Sequence, residues 1–190
     1  MSKVYITDKV FDKSDFDGGG FEKATYENCT FLNCDFTGVT LAGSSFEECN
    51  FSGCNLSNVP LAGTAIRGVA FKDCKMLGLR FYDCNEYVFK ASFQDCNLSL
   101  SSFYRVRLKE PVFRNCQLQE TDFTEADLTN AVFDNCDLSF AVFDNTILER
   151  ADLRTAYNYT INPTNNKLKA ARFSTSGLAG LLGGLGIIIE

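Results

Sequence analysis

The chain has 190 residues, an apolar fraction of 45% and a formal net charge of −6 at pH 7. This length and composition suit one domain with an apolar core, which excludes a disordered chain. The acidic balance argues against a general nucleic-acid binder and against docking on anionic lipid, so a basic partner surface is the expected target.

The N-terminus has no charged stretch followed by a long apolar one, so we expect a cytoplasmic protein whose nine cysteines are reduced. The longest apolar stretch, residues 177–189, is shorter than the roughly 20 residues that a membrane-spanning helix needs. The sequence therefore predicts neither a disulfide framework nor contact with a membrane.

A period of five residues organises most of the chain. From Ile6 to Phe81 every fifth residue is large and apolar, and after a slip of two residues the series resumes from Val88 to Leu153. A small residue stands two positions before most of these large ones. Because this period fits neither a helix nor an ordinary strand, each repeat must be one short side of a coil that turns a corner.

The cysteine spacing indicates how many sides the coil has. Cys34, Cys54 and Cys74 are twenty residues apart, and a column of phenylalanines repeats at the same interval once the slip is allowed. Four repeats therefore form one coil, and rings in successive coils should stack at the strand spacing of about 4.8 Å. The phenylalanine column consists of Phe31, Phe51, Phe71, Phe93, Phe113 and Phe133.

The repeat units CDFTG at 34–38, CNLSN at 54–58 and ADLTN at 126–130 share one pattern: small, Asp or Asn, Leu or Phe, then two variable residues. Over roughly residues 4–156 the chain resembles the pentapeptide-repeat family. The resemblance implies an all-β fold, a right-handed quadrilateral parallel β-helix with four pentapeptide repeats per coil.

The regular series falters after Leu153, yet Phe173 lies twenty residues beyond it. We expect the β-helix to occupy residues 1–173, regular to about 156 and with an imperfect last coil, and residues 174–190 to form a capping and dimerisation segment. That segment has the pattern of a Ser-capped short helix, a Gly-rich break and a strand.

Left exposed, such an apolar tail would be a sticky patch, so we expect it to pair with a second copy about a two-fold axis. The predicted dimer-interface residues are Leu178, Leu181, Leu182, Leu185, Ile187, Ile188 and Ile189.

Charge is unevenly distributed along the chain. Residues 117–149 contain acids and no base, whereas residues 67–114 are richer in bases, among them Arg105, Arg107 and Lys109. In one interpretation the aspartates occupy the repeat's own Asp/Asn position and the other acids are solvated surface. In the other, the segment is a partner-binding surface made of Glu120, Asp122, Glu125, Asp127, Asp134, Asp144 and Glu149.

The tail sequence GLLGGLGIII is similar to that of the Qnr-type quinolone-resistance proteins. This resemblance implies a homodimer joined through its C-terminus and a non-enzymatic DNA mimic that binds a type II topoisomerase, DNA gyrase or topoisomerase IV, with a role in quinolone or toxin resistance. Many Qnr-type members carry two protruding loops, whereas the slip near residues 84–88 is the only interruption here. The alternative is a scaffold that recognises another protein and has no topoisomerase role.

The sequence offers no catalytic constellation. Because the chain has no histidine, Ser-His-Asp and Cys-His arrangements are absent, and we predict no enzyme, no metal, no cofactor and no direct nucleic-acid binding. Cys29, Cys34, Cys49 and Cys54 occupy the small inward position, where a thiol packs as a small hydrophobe. Cys84 lies in the slip, so we expect it to be exposed and a candidate reactive thiol.

Overall fold

The computed structural model describes residues 4–16, 20–108, 110–185 and 187, apart from the side chains of Ser14, Val88 and Gly184. The chain winds into a parallel β-solenoid of about eight turns. Paired residues advance by twenty per coil, as in the series Tyr5, Thr25, Ser45 and Ala65. This register confirms the prediction of four five-residue repeats per coil.

Short strands form two of the four sides. The first side starts with β1, β3, β5 and the beginning of β7; the second side contains β2, β4, β6, the end of β7 and then β8 to β12. The strands are β1 (Tyr5–Thr7), β2 (Val10–Phe11), β3 (Thr25–Glu27), β4 (Thr30–Leu32), β5 (Ser45–Glu47), β6 (Asn50–Ser52), β7 (Ala65–Lys72), β8 (Lys90–Gln94), β9 (Val112–Arg114), β10 (Val132–Asp134), β11 (Asp152–Leu153) and β12 (Arg172–Phe173).

Single parallel bridges define the remaining sides. The third side follows the bridges from Asp35 through Gln117 to Tyr157, and the fourth follows those from Arg80 to Val142. In its later coils the first side continues through bridges from Arg107 to Lys167.

Two long stacks of aromatic rings run through the interior. In the phenylalanine column on the second side, ring centroids of successive coils lie 4.4 to 5.3 Å apart with interplanar angles of 5° to 23°. A second stack on the fourth side runs from Phe81 through Phe103 and Phe123 to Phe143. These separations match the spacing of adjacent strands, which confirms the stacking predicted from the sequence.

The small inward residue of each repeat also ties coils together. The thiol of Cys54 donates to the carbonyl oxygen of Phe31, 3.3 Å away, and that of Cys116 to the oxygen of Phe93 at 3.5 Å. Thr64 makes the equivalent bond to Leu41 at 2.8 Å. Each donor thus reaches the central residue of the coil before it.

The last position of many repeats has a left-handed backbone. It turns the chain into the next side with a positive φ, which Gly adopts freely and Asn tolerates better than most residues. Gly38 (φ 76°) and Asn115 (φ 52°) are examples.

The two-residue slip brings an additional phenylalanine into the core. The sequence series placed Val88 in the core, but the side chain of Val88 lies outside the described residues; Phe89, next to it, is 3% exposed and edge-on to Phe81, with 5.7 Å between the ring centroids. The two extra residues are accommodated by 3₁₀ helices at Phe81–Asp83 and Glu86–Val88 and by an irregularity in the pairing of β7 with β8.

The C-terminal end is covered by the chain itself. Beyond β12, a 3₁₀ helix at Thr175–Gly177 is capped by Ser174 and leads into α1 (Ala179–Leu182), which is followed by a 3₁₀ turn at Gly183–Leu185. Gly180 lies so close to Tyr159 that a Cβ would collide with its carbonyl oxygen and ring.

Candidate partner-binding surface

The predicted acidic residues are spread over the first, second and fourth sides of the solenoid and two of its corners, because their sequence segment is longer than one coil. Glu120 lies at the corner between the third and fourth sides. Asp122 and Asp144 lie on the fourth side. Their positions follow from the registers of Asp122 with Val142 and of Glu120 with Ser139.

The other acids lie elsewhere. Asp127 and Glu149 are on the first side and Asp134 is on the second, while Glu125 stands at the corner between the fourth and first sides. The structure therefore divides the predicted set and does not gather it into one patch.

Two of these acids are neutralised by arginines one coil away. Glu125 accepts hydrogen bonds from Arg105 Nε at 2.7 Å and Nη2 at 3.1 Å, and these bonds lower the pKa of Glu125. Asp134 accepts one from Arg114 Nε at 3.2 Å. Such exposed pairs remove net charge from the surface and add little stability.

The aspartates in the repeat's second position also have a structural task. Asp122 Oδ1 accepts the backbone N–H of Thr124 at 2.9 Å, and Asp127 Oδ1 accepts that of Thr129 at 3.1 Å, so both carboxylates cap the turn at their own corner. Asp137 does the same for Ser139; burial opposes its ionisation, but the hydrogen bonds that it accepts outweigh burial and lower the pKa of Asp137.

The carboxylates of Asp122 and Asp144, on the fourth side, are not paired with an arginine or lysine among the described residues. Asp122 accepts further from the hydroxyl of Ser102 at 3.0 Å and Asp144 from the amide of Asn165 at 3.4 Å, which are neutral donors. Glu120 is exposed. No base occurs between residues 115 and 149, so a basic partner for these acids has to come from a neighbouring coil, as Arg105 does for Glu125.

Apolar side chains project from the same region. Phe140 is 84% exposed, Leu100 59% and Val142 48%. Leu100 and Phe140 occupy the corner position one coil to either side of Glu120, since the N–H of Leu100 bonds to Gln119 and that of Glu120 to Ser139. We call these three apolar residues, with Glu120, Asp122 and Asp144, the corner patch.

The corner patch was missed at the level of the sequence, although a signal was present. Its corner residues are spaced by twenty, as the core residues are, and in two of them a large apolar side chain stands where other repeats carry Asn, Gly or a charge.

The basic middle of the chain is partly neutralised. Arg105 pairs with Glu125, and its Cζ lies 4.8 Å from the centroid of the Tyr104 ring. The backbone of Arg107 pairs in register with that of Asp127 on the first side, and no ion pair between their side chains occurs among the described residues. Lys109 lies outside the described residues.

The slip forms a cleft of about 270 Å³ between the fourth and first sides, lined by Tyr82, Phe89 and Tyr104 among others. Cys84 lies in its wall. The prediction that Cys84 is exposed is wrong: Cys84 lies between the two 3₁₀ helices of the slip and is only 9% exposed. Burial, helped by the charge of Asp83, raises the pKa of the Cys84 thiol to about 12, so it is not a thiolate at neutral pH.

The tail residues predicted to form a dimer interface differ in exposure. Leu178, Leu185 and Ile187 are 46%, 53% and 54% exposed, whereas Leu181 is half-buried against the core and Leu182 is half-buried. Ile188 and Ile189 lie outside the described residues.

Comparison with known proteins places the repeat pattern in a family. The model of the pentapeptide repeat region matches residues 24–87, 44–111 and 88–156, which together span residues 24–156. The chain belongs to the pentapeptide-repeat family. Within the described residues of this pentapeptide-repeat protein, no group of three His, Cys, Asp or Glu side chains could hold a metal ion, and no helix could cross a membrane.

The chain is similar to several solved structures, among them one with a TM-score above 0.5. HetL, a pentapeptide-repeat protein involved in heterocyst differentiation regulation in the cyanobacterium Nostoc sp. strain PCC 7120, is 17% identical, with 92% of this chain and 86% of HetL covered and a TM-score of 0.54.

Trypsin-treated QnrB1, a plasmid-mediated fluoroquinolone resistance protein, is 22% identical over 99% of this chain and 98% of its own, with a TM-score of 0.46. Rfr23 from the cyanobacterium Cyanothece 51142 is 19% identical over 66% and 88%, with a TM-score of 0.32. No curated protein sequence gives a significant match.

Proposed function

We propose that this pentapeptide-repeat protein is a cytoplasmic, homodimeric, non-enzymatic DNA mimic that binds a type II topoisomerase, DNA gyrase or topoisomerase IV. It competes there with the DNA segment and thereby confers resistance to quinolones or toxins. The observation that carries the proposal is the negative charge of the fourth side, where Asp122 and Asp144 accept hydrogen bonds only from neutral donors.

The electrostatic argument has two parts. Enzymes that hold duplex DNA do so through lysines and arginines that neutralise phosphates. A rigid rod with fixed carboxylates presents a comparable negative field to such a groove and repels DNA itself. Because Glu120 and Asp122 belong to coils whose backbones are hydrogen-bonded to the next coil, little ordering entropy is lost on binding.

A dimer would lengthen this surface. The exposed side chains of Leu178, Leu185 and Ile187 give the C-terminal end an apolar surface that a second copy could cover about a two-fold axis. The two acidic regions would then continue along one rod, with the dimer contact in its middle.

The rival proposal is a scaffold that captures another protein through Arg105, Arg107 and Lys109. It receives less support, because Arg105 already pairs with Glu125 and Arg107 lies beside Asp127.

A supercoiling assay with purified bacterial gyrase tests the proposal. The protein is titrated with and without a fluoroquinolone, at low and at higher salt. We expect inhibition of supercoiling, or protection against the drug, that weakens as salt rises because exposed charges are screened. No effect up to tens of micromolar protein would favour the scaffold.

Charge reversal tests which sides of the solenoid contact the topoisomerase. The double variant Glu120→Lys and Asp144→Lys should weaken gyrase binding by about tenfold or more, since charge pairs across interfaces are worth on the order of 1.5 kcal/mol or more. The matched control, Asp134→Lys and Glu149→Lys, has the same change in net charge on the second and first sides and should lose much less. Equal binding by a folded Glu120→Lys and Asp144→Lys variant would contradict the electrostatic account.

A further inference from the structure

Phe140 combines two unfavourable features. Its ring is 84% exposed, and its backbone lies in the left-handed region with φ 59°. A side chain with a Cβ is disfavoured in that conformation, and Asn tolerates it better than Phe does. Earlier coils place Asn58 (φ 57°) and Gly78 (φ 65°) at this same corner. Neither the fold nor the solubility of the protein calls for a phenylalanine here, which points to a use outside the chain.

The corner of the third and fourth sides repeats this choice. Leu100, two coils earlier, is 59% exposed with φ 63°, and Glu120 lies between the two. At a strand spacing of about 4.8 Å per coil, Leu100 and Phe140 project roughly 10 Å apart from one rigid edge. Val142, 48% exposed, extends the apolar surface onto the fourth side.

The surroundings of these side chains are acidic. Asp122 pairs in register with Val142, Asp144 follows Val142 by two residues, and Glu120 separates the two apolar corner residues. Carboxylates around an apolar group exclude nucleic acid and anionic lipid as the occupant, because both carry negative charge. They match a protein surface on which lysines or arginines surround an apolar pocket.

We propose that Phe140, supported by Leu100 and Val142, is an apolar anchor that inserts into a hydrophobic pocket in the basic groove of the partner protein. This inference rests on the proposed function and deepens it. Duplex DNA presents no equivalent side chain, so the protein binds its topoisomerase through a contact that DNA does not make. The acids steer the encounter, and the buried ring sets the lifetime of the complex.

The variant Phe140→Asn separates this role from folding. Asn suits the left-handed backbone and removes an exposed ring, so the melting temperature should stay the same or rise. Binding to purified gyrase, measured by surface plasmon resonance, should weaken at least tenfold, mainly through faster dissociation. The slope of affinity against salt should be unchanged, because no charge is altered.

Two further variants test whether the loss of binding is specific to the apolar side chain of Phe140. Ala170→Asn changes another left-handed position, φ 59°, outside the corner patch and should bind as the wild type does. Phe140→Leu keeps an apolar side chain and should retain more affinity than Phe140→Asn.

The possible results are distinguishable. Wild-type binding that Phe140→Asn leaves unchanged would overturn the anchor and leave the proposed function standing. Absence of wild-type binding to both gyrase and topoisomerase IV would overturn both. Loss of binding by Phe140→Asn with a changed salt slope would contradict the anchor as well, since it would indicate an electrostatic effect.

Discussion

At the scale of single residues, the inward small position acts as both spacer and donor. Cys116, Thr121 and Thr146 each donate to the carbonyl of the central residue one coil earlier, at 3.5, 3.1 and 2.8 Å. A thiol and a hydroxyl are therefore interchangeable there, provided that the side chain remains small. This accounts for eight of the nine cysteines, the exception being Cys84 in the slip; all nine are buried and without a disulfide.

Substitution of Cys116 tests this role. Cys116→Ala should lower the free energy of unfolding by about 1 kcal/mol, the usual net value of one hydrogen bond together with a little lost packing. Cys116→Thr should lower it less, because the hydroxyl restores a donor. Urea denaturation compares the two, and an Ala variant at least as stable as the Thr variant would show that the donor contributes nothing.

At the scale of the repeat and its turn, the second position explains much of the acidic composition. Four coils of the third side have Asp or Asn at this position, and each of these side chains accepts the backbone N–H two residues on: Asp35, Asn55, Asn97 and Asp137. Hydrogen bonds from Thr37 lower the pKa of Asp35, and those from Ser139 and its neighbours lower the pKa of Asp137 despite burial.

These shifts predict an acid-sensitive fold. A carboxyl whose pKa is lower in the folded than in the unfolded chain stabilises the fold above its unfolded pKa, near 3.8, and that stability is lost as pH falls through the folded value. We expect the free energy of unfolding to fall on acidification from about pH 5. Asp137→Asn should make the fall shallower, since Asn55 and Asn97 already fill this position. An unchanged pH profile in the variant, followed by circular dichroism, would contradict this assignment.

The buried columns of the core could be predicted from the sequence, whereas the surface patches could not, for one physical reason. Core positions recur every five residues, so a column such as Phe113 and Phe133 is readable from spacing alone. A surface patch joins residues twenty apart, whereas the acidic run at 117–149 is contiguous in sequence and necessarily wraps around every side. Cys84 shows a further limit, because its burial depends on the two 3₁₀ helices of the slip, between which it lies.

At the scale of the whole molecule, the two ends of a solenoid determine how it associates with another copy. Internal coils cover each other, while each end must be capped or paired. Here α1 and its flanking turns cover the C-terminal coil by packing Gly180 against Tyr159, and the outer side chains of this cap remain exposed. The cap thus supplies both closure of the core and a new apolar surface.

This arrangement predicts a dimer that can be broken without unfolding the protomer. Leu178→Lys combined with Leu185→Lys places charge on side chains that are 46% and 53% exposed, so the protomer should keep its melting behaviour while the proposed two-fold contact is lost. Light scattering should give twice the chain mass of 21.1 kDa for the wild type and the single mass for the double variant.

Leu100→Lys, at a side chain of similar exposure in the corner patch, should remain dimeric. A wild type that is monomeric at micromolar concentration would contradict the dimer, and with it the continuous acidic rod, while leaving the electrostatic test of a single protomer intact.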